Sequence, residues 1–231
     1  MTRIGTSPGK NANLRGFLGY ALGETIIVTI GILIAFSLNN WNEDRIKRKL
    51  EKEYYQSMKN QLVEDLNTLK GNIEYNQAFL NQFSFAREII RSEKRNRADT
   101  LGKIALNLVR WSDFRRKSNV YQTLVSTGEI VNITNRHITE ELQSLEELYS
   151  YIDRLEENHS SFIMTQIVDD LKNNLSTEPF KVENPGNLFS FRFQNNFDFS
   201  MLIMKEKADI YHQAENKLDS IIVMIDNELK K

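Results

Sequence analysis

The hydrophobic pattern begins with a segment that is apolar on every side of a helix. Residues 16–38 contain one charged residue, Glu24. As a helix this stretch is about 35 Å long, which is enough to cross a hydrocarbon core of roughly 30 Å. The pattern therefore predicts a transmembrane anchor over residues 16–41, preceded by a basic N-terminal tail over residues 1–15.

Beyond residue 41, apolar residues recur every three or four positions, which is typical of helices packed on one side. Such stripes predict helices over 42–94, 101–111, 120–125, 135–173 and 199–229. The first stripe consists of Ile46, Leu50, Tyr54, Met58, Leu62, Leu66, Leu69, Ile73, Leu80 and Phe83. Helices with a single apolar face bury it best against one another. We expect an all-α fold, an antiparallel bundle of three long and two short helices over residues 42–231.

Local signals mark where these helices begin and end. Ser118 and Asn135 suit N-caps, and Gly128 suits the left-handed position after a helix. Residues 176–187 are rich in turn-forming residues and predict a loop, and the basic FRRK stretch, residues 114–117, predicts a solvated connection. The stretch LFSFRFQNNFDF, residues 188–199, begins with alternating phenylalanines. It predicts a packed aromatic connection rather than a strand, because a lone strand has nothing to pair with.

Composition supports a helical chain and argues against two classes of function, nucleic-acid binding and thiol chemistry. Only three prolines and ten glycines occur among 231 residues, which favours long helices. The net charge of -1 argues against nucleic acid as a partner. The absence of cysteine excludes thiol catalysis and thiolate metal sites, but it does not identify the compartment.

The apolar segment has two interpretations, a retained anchor and a cleaved signal peptide. Ala35, Phe36 and Ser37 have the small-x-small spacing that a signal peptidase recognises. A retained anchor is favoured because Trp41 stands where an interfacial aromatic residue belongs, and helical sequence continues after it. The short tail carries Arg3, Lys10 and Arg15 without an acid. The positive-inside bias of this short tail then places the N-terminus in the cytoplasm and the helical domain on the other side of the membrane.

Small residues within the segment suggest a helix-packing face. Gly19, Gly23, Gly31 and Ala35 recur at multiples of four residues, and the first two form a GxxxG pattern. Glycine is also frequent in membrane helices for no specific reason. The sharper interpretation is a partner in the membrane, either a second copy of this chain or another membrane protein.

Glu24 also has two interpretations. It can lie at the level of the lipid headgroups, where a carboxylate costs little. It can instead lie deeper, as the intramembrane acid of an accessory subunit in an ion-conducting complex.

A search for catalytic patterns finds no phosphate-binding loop, dinucleotide fingerprint or zinc-protease motif. One spacing suggests a metal site. Glu156 and His159, and likewise Asp209 and His212, have the i, i+3 separation used in di-iron bundles. Aspartate replaces glutamate in the second pair, and no bridging glutamates stand out. We therefore predict no metal, no cofactor and no catalytic residue, and we expect His159 to be a core residue hydrogen-bonded to a neighbour.

The anchor sequence resembles that of a known but uncharacterised family. Residues 20–54 read YALGETIIVTIGILIAFSLNNWNEDRIKRKLEKEY. This stretch is similar to the start of a family of small bacterial single-pass membrane proteins, with Gly-Glu, Gly-Ile and Asn-Trp-Asn-Glu at matching places. Further positions that match are Tyr121, Leu124, Ser126, Gly128, Ile133 and Leu142. Relatives carry a more basic tail. The resemblance implies a retained span and a helical domain, and it supplies no activity.

The function expected from the sequence is therefore that of a non-enzymatic, single-pass membrane protein. Its helical bundle would make protein–protein contacts as a scaffold, sensor or accessory subunit. The bilayer itself is an expected partner. The sequence identifies no small-molecule ligand.

Overall fold

The computed structural model of the chain describes residues 11–117 and 119–231, without the side chains of 11–19 and 21. Two compact units divide it between Glu51 and Lys52. The first predicted N-cap, Ser118, and most of the predicted tail lie outside the described residues. The architecture is all-α with one small hairpin, as predicted for the fold class.

Helices make up most of the described chain. The α-helices are α1 (Asn11–Arg91), α2 (Ala98–Ala105), α3 (Val120–Thr127), α4 (Arg136–Phe162), α5 (Val168–Asn174), α6 (Pro185–Leu188) and α7 (Phe191–Leu229). Short 3-10 turns occur at Arg95–Arg97, Leu106–Val109 and Glu129–Asn132, and a π-helical turn, Ile163–Ile167, joins α4 to α5. Strands β1 (Leu175–Thr177) and β2 (Phe180–Val182) pair antiparallel.

The core of the second unit consists of two hydrophobic clusters along the bundle. The first joins α1, α4 and the C-terminal half of α7, with Tyr55, Leu69, Tyr149 and Ile221 among its buried members. The second joins the end of α1 to α2, the π-helical turn and the N-terminal half of α7, where the Phe83 and Phe197 rings lie 5.7 Å apart. The apolar stripes predicted from the sequence therefore pack against one another.

Two predicted helix boundaries are confirmed by their backbone geometry. Asn135 caps α4, since its side chain accepts hydrogen bonds from the backbone N–H groups of His137 and Ile138. Gly128 follows α3 with a φ of 75°, in the left-handed region that glycine adopts without steric cost.

The segment between α5 and α7 differs from the prediction. Residues 176–187, expected to be a loop, include most of the β1–β2 hairpin and the start of α6. The aromatic connection predicted over 188–199 is wrong from Phe191 onwards, because α7 begins there rather than at residue 199. Ser190 explains the earlier start, since its hydroxyl accepts a hydrogen bond from the Phe193 N–H and caps the helix.

Gly102 lets the hairpin pack closely on α2, and its substitution by alanine tests that contact. A Cβ at this position would lie 2.7 Å from Cγ2 of Val182 and 3.2 Å from Leu175 and Phe180. Crowding of this kind costs about 1–3 kcal/mol, partly offset by the better helix propensity of alanine. We expect Gly102→Ala to lower the free energy of unfolding by about 1–2 kcal/mol in denaturant titrations.

Gly71→Ala is the matched control, because Gly71 is also helical but has no atom within 4 Å of the place that an alanine Cβ would take. There the propensity gain acts alone, so this variant is expected to be more stable by up to about 1 kcal/mol. Equal effects at the two glycines would contradict the close packing at Gly102.

Candidate functional site

The apolar part of α1 is exposed on all sides. From residue 22 to residue 41 no side chain is buried, and Ile27 and Trp41 are 72% and 62% exposed. These 20 positions span about 30 Å of helix, which matches the hydrocarbon thickness of a bilayer. The helix is long and apolar enough to cross a membrane. A core helix of a soluble protein would be buried, whereas this segment is not.

The residues singled out from the sequence lie along this segment as follows. Gly23, Gly31 and Ala35 lie on the helix, with no atom within 4 Å of a Cβ position at either glycine. Gly19 is described only as a position of the helical backbone. Glu24 is exposed within the first turn of the 22–41 segment, which places it about 3 Å along the helix from residue 22.

A second feature, which we call the polar layer, separates the two hydrophobic clusters. It consists of buried polar residues from three helices and one connector: Asn76, Ser112, Glu156, His159 and Lys207. Each helical member interrupts an apolar stripe, as Lys207 does between Met204 and Ile210 in α7. Burying such groups is costly unless they are hydrogen-bonded or paired.

Glu156 is the centre of the polar layer. Its carboxylate accepts the Phe114 backbone N–H at 2.9 Å and 3.1 Å, and it also accepts the Tyr211 hydroxyl. Lys207, fully buried, donates from Nζ to the Ser112 carbonyl at 2.7 Å and lies 3.9 Å from Glu156 Oε1. The Tyr211 oxygen is also 3.0 Å from Ser112 Oγ. These contacts join α4, α7 and the connector.

Burial shifts the protonation equilibria of these groups towards their neutral forms. It raises the pKa of Glu156, although the hydrogen bonds from Tyr211 and Phe114 and the charge of Lys207 oppose the rise. Burial lowers the pKa of Lys207 to about 8, with Glu156 opposing the change. Desolvation, the first cause in both cases, thus outweighs the attraction between the two groups.

His159 is buried beside this pair but differs from the expectation. It is 1% exposed, as predicted for a core residue. However, neither ring nitrogen has a hydrogen-bond partner within the described part of the chain, so the expected bond to a neighbour is absent there. Burial, together with the charge of Lys207, lowers the pKa of His159 to about 3. The imidazole is therefore neutral at physiological pH.

The polar layer supplies hydrogen-bond partners to the backbone of the connector over residues 110–117. This connector is irregular chain that enters the core, with the Phe114 side chain only 2% exposed. Asp65 of α1 also holds the connector, because its carboxylate accepts hydrogen bonds from the Lys117 N–H at 2.7 Å and from the Tyr149 hydroxyl at 3.1 Å. Backbone groups that enter a core need such partners. Glu156, Lys207 and Asp65 are thus buried where they can bind the backbone of the connector.

The connector corrects one sequence interpretation. The FRRK stretch is expected to be a solvated connection, yet Phe114 is buried. Arg116 pairs with Glu146 at 2.5 Å and lies over the Tyr149 ring, 5.6 Å from its centre. The side chains of Arg115 and Lys117 fit the prediction, since they are 85% and 66% exposed.

A surface cleft of about 550 Å³ lies over the polar layer. Its lining includes Trp111, Asp113, Arg115, Asp153 and Glu156. Glu156 is the buried floor, and both of its oxygens already accept hydrogen bonds from the protein. A carboxylate bound in this way is poorly placed to act as a general base towards a molecule in the cleft.

The di-iron spacing does not converge on one place. Glu156 and His159 are buried, whereas Asp209 and His212 are exposed, and His212 interacts with Glu215 at 3.1 Å. Among the residues that the structure describes, no group of three or more His, Asp or Glu side chains is placed to hold a metal ion. The two motifs thus lie in different environments, one buried and one exposed, and do not form a shared site.

Sequence reasoning missed Lys207 and Asp65. Each stands inside an apolar stripe at core spacing, Lys207 three residues after Met204 and Asp65 three residues after Leu62. A charged residue at a core position of a helical stripe is a usable signal for a buried polar contact. The partner, however, comes from a distant connector and cannot be read from spacing.

Comparisons with other proteins supply a family. Neither the curated proteins nor the solved structures contain a match to this chain. One family model matches residues 24–162, which is more than half of the chain, from Glu24 in the apolar segment to the end of α4. The family is described as one of unknown function, in agreement with the resemblance seen in the sequence. The chain therefore belongs to the family of unknown function DUF6090.

Proposed function

We propose that this protein is a non-enzymatic, single-pass protein of the bacterial inner membrane, anchored by residues 22–41. The observation that carries the proposal is that no residue of this apolar segment is buried. Soluble proteins rarely leave contiguous apolar surface of such extent uncovered. A bilayer covers it on all sides, and the helix satisfies its own backbone hydrogen bonds there.

In this proposal the N-terminus lies in the cytoplasm and the helical bundle outside it. The short tail with Arg3, Lys10 and Arg15 supports this orientation, because the positive-inside bias acts through short flanking segments. Long domains are translocated largely regardless of their charge. The mixed charges that follow Trp41 therefore carry less weight.

The bundle makes protein–protein contacts and carries no active site in this proposal. Three groups of the polar layer with shifted pKa values, Glu156, His159 and Lys207, are buried, and Glu156 and Lys207 hold the connector. The partner is a second copy of this chain or another membrane protein. Support comes from the open space at Gly23 and Gly31, where a second helix backbone can approach closely.

Anchoring and orientation are tested with single cysteines, because the natural chain has none. Ser7→Cys probes the tail and Lys230→Cys the exposed end of the bundle. In spheroplasts, a membrane-impermeant maleimide is expected to label Lys230→Cys at once and Ser7→Cys only after lysis. The reverse pattern would contradict the orientation, and release of the protein by alkaline carbonate would contradict the anchor.

Protein contacts are tested by gentle extraction of the tagged full chain from native membranes. We expect a complex of fixed composition whose mass exceeds that of the monomer. A monodisperse 27.0 kDa species in the membrane extract would contradict this part of the proposal. The cysteine-labelling experiment tests the anchor and its orientation independently of this result.

A further inference from the structure

One face of α1, immediately after the anchor, concentrates positive charge. Arg45, Lys47, Arg48 and Lys49 are all exposed. A helix turns by about 100° per residue, so Arg45, Arg48 and Lys49 fall within an arc of about 100°. Lys47 projects from the opposite side. We call the surface formed by Arg45, Arg48 and Lys49 the basic face.

Acidic residues of the same stretch avoid the basic face. By the same rotation, Glu43, Asp44 and Glu51 all project outside its arc. Glu43 accepts a hydrogen bond from Asn39 at 2.8 Å, which further engages its carboxylate. The near-neutral charge count of this segment thus conceals a separation of charge around the helix.

Trp41 places the basic face relative to the bilayer. It projects within the same arc and stands where the apolar segment ends. Indole rings settle at the border between hydrocarbon and headgroups. From there Arg45 lies about 6 Å farther along the axis, and Arg48 and Lys49 about 10–12 Å farther. The headgroup zone is about 5–8 Å deep, so Arg45 lies inside it. The long side chains of Arg48 and Lys49 tilt towards the helix N-terminus, which brings their charges back to this zone.

We propose that the basic face binds the phosphate groups of anionic phospholipids in the leaflet on the bundle side of the membrane. The inference rests on the proposed anchor and specifies the lipid that surrounds it. Guanidinium groups suit this ligand, because their planar fork donates two parallel hydrogen bonds to phosphate oxygens. Among the described residues, Arg45 and Arg48 form no ion pair that would compete.

Lipid selectivity of the full-length protein tests the proposal. The protein is reconstituted in phosphatidylcholine vesicles that contain traces of spin-labelled phosphatidylglycerol or phosphatidylcholine. Electron paramagnetic resonance then measures the fraction of each label immobilised by the protein. Each basic residue near an anionic membrane surface contributes about 1 kcal/mol of binding free energy, which corresponds to roughly a fivefold change in affinity. Competition among lipids reduces this effect. We expect phosphatidylglycerol to be favoured by at least about threefold, and less so in high salt.

The triple variant Arg45→Gln, Arg48→Gln, Lys49→Gln is expected to bring this preference close to one. Its matched control is Lys172→Gln, Lys205→Gln, Lys230→Gln, which removes the same charge from exposed bundle positions and is expected to keep the preference. All six positions are exposed, so folding is expected to survive.

The outcomes separate this inference from the proposed function. Equal loss in both triple variants would show a net-charge effect and overturn the basic face as the site. Absence of any preference in the natural protein, with insertion intact by vesicle flotation, would overturn the inference alone. Failure of the protein to float with vesicles would overturn the anchor and the inference together.

Discussion

Replacement of Glu156 by leucine is expected to destabilise the bundle by about 3–5 kcal/mol, the cost of breaking a buried charge pair from one side. Lys207 would keep its position without its counter-charge, and the Phe114 N–H and the Tyr211 hydroxyl would each lose an acceptor. Unfolding by denaturant, followed by circular dichroism of the full chain in detergent, measures the change.

Two further variants identify the cause of this loss. Glu156→Gln keeps a hydrogen-bond acceptor for Phe114 and Tyr211, so it is expected to lose less stability than Glu156→Leu. The double variant Glu156→Leu, Lys207→Met removes both charges and is expected to regain part of the stability, because apolar replacements of a buried pair are often tolerated. If the loss of stability in the double variant equals the sum of the losses in Glu156→Leu alone and Lys207→Met alone, the pair is not coupled.

Acid is expected to destabilise the fold through His159. Its pKa is about 3 in the folded state and near 6.5 in the unfolded chain, so the unfolded state binds the extra proton between these values. The stability that neutral His159 contributes is therefore complete above pH 6.5 and is lost as the pH falls towards 3. The loss amounts to about 1.4 kcal/mol per pH unit below 6.5, or roughly 2 kcal/mol by pH 5.

His159→Leu is expected to remove this component of the pH dependence. The raised pKa of Glu156 acts in the opposite sense above its ordinary value of 4.5, but Glu156 is present in both proteins, so the change in stability between pH 7 and pH 5 is compared between the variant and the natural protein. His212→Gln is the matched control, because His212 is exposed. A pH profile unchanged by His159→Leu would show that the imidazole is protonated as easily in the fold as in the unfolded chain.

The fold is predictable from the sequence where local pattern determines it. The apolar stripes of α1 and α4 continue over many turns, and Asn135 and Gly128 mark boundaries by their own chemistry. The β1–β2 hairpin is not predictable in this way. Its strands have three residues each, and they are stabilised by packing against Gly102 of α2, a contact far away in sequence.

The candidate site is predictable only in part. The proposed anchor depends on the hydropathy of consecutive residues, so the sequence alone is enough to predict it. The polar layer cannot be predicted in this way. Its side chains bind backbone groups of the connector, and the sequence does not show that the connector enters the core. Glu156 and His159 stand out in the sequence for their spacing, which suggests a metal. Their surroundings show instead a carboxylate used to hold the connector and an imidazole kept neutral by burial.

The connector links parts of the chain that are synthesised at different times. Ser112 is bonded to Lys207 and Tyr211, which follow it by 95 and 99 residues. The segment matched by the family model ends at residue 162 and so lacks all of α7. A ribosome that has released only this segment has released a chain whose connector lacks its hydrogen bonds to Lys207 and Tyr211. The polar layer is therefore completed late, after α7 has emerged.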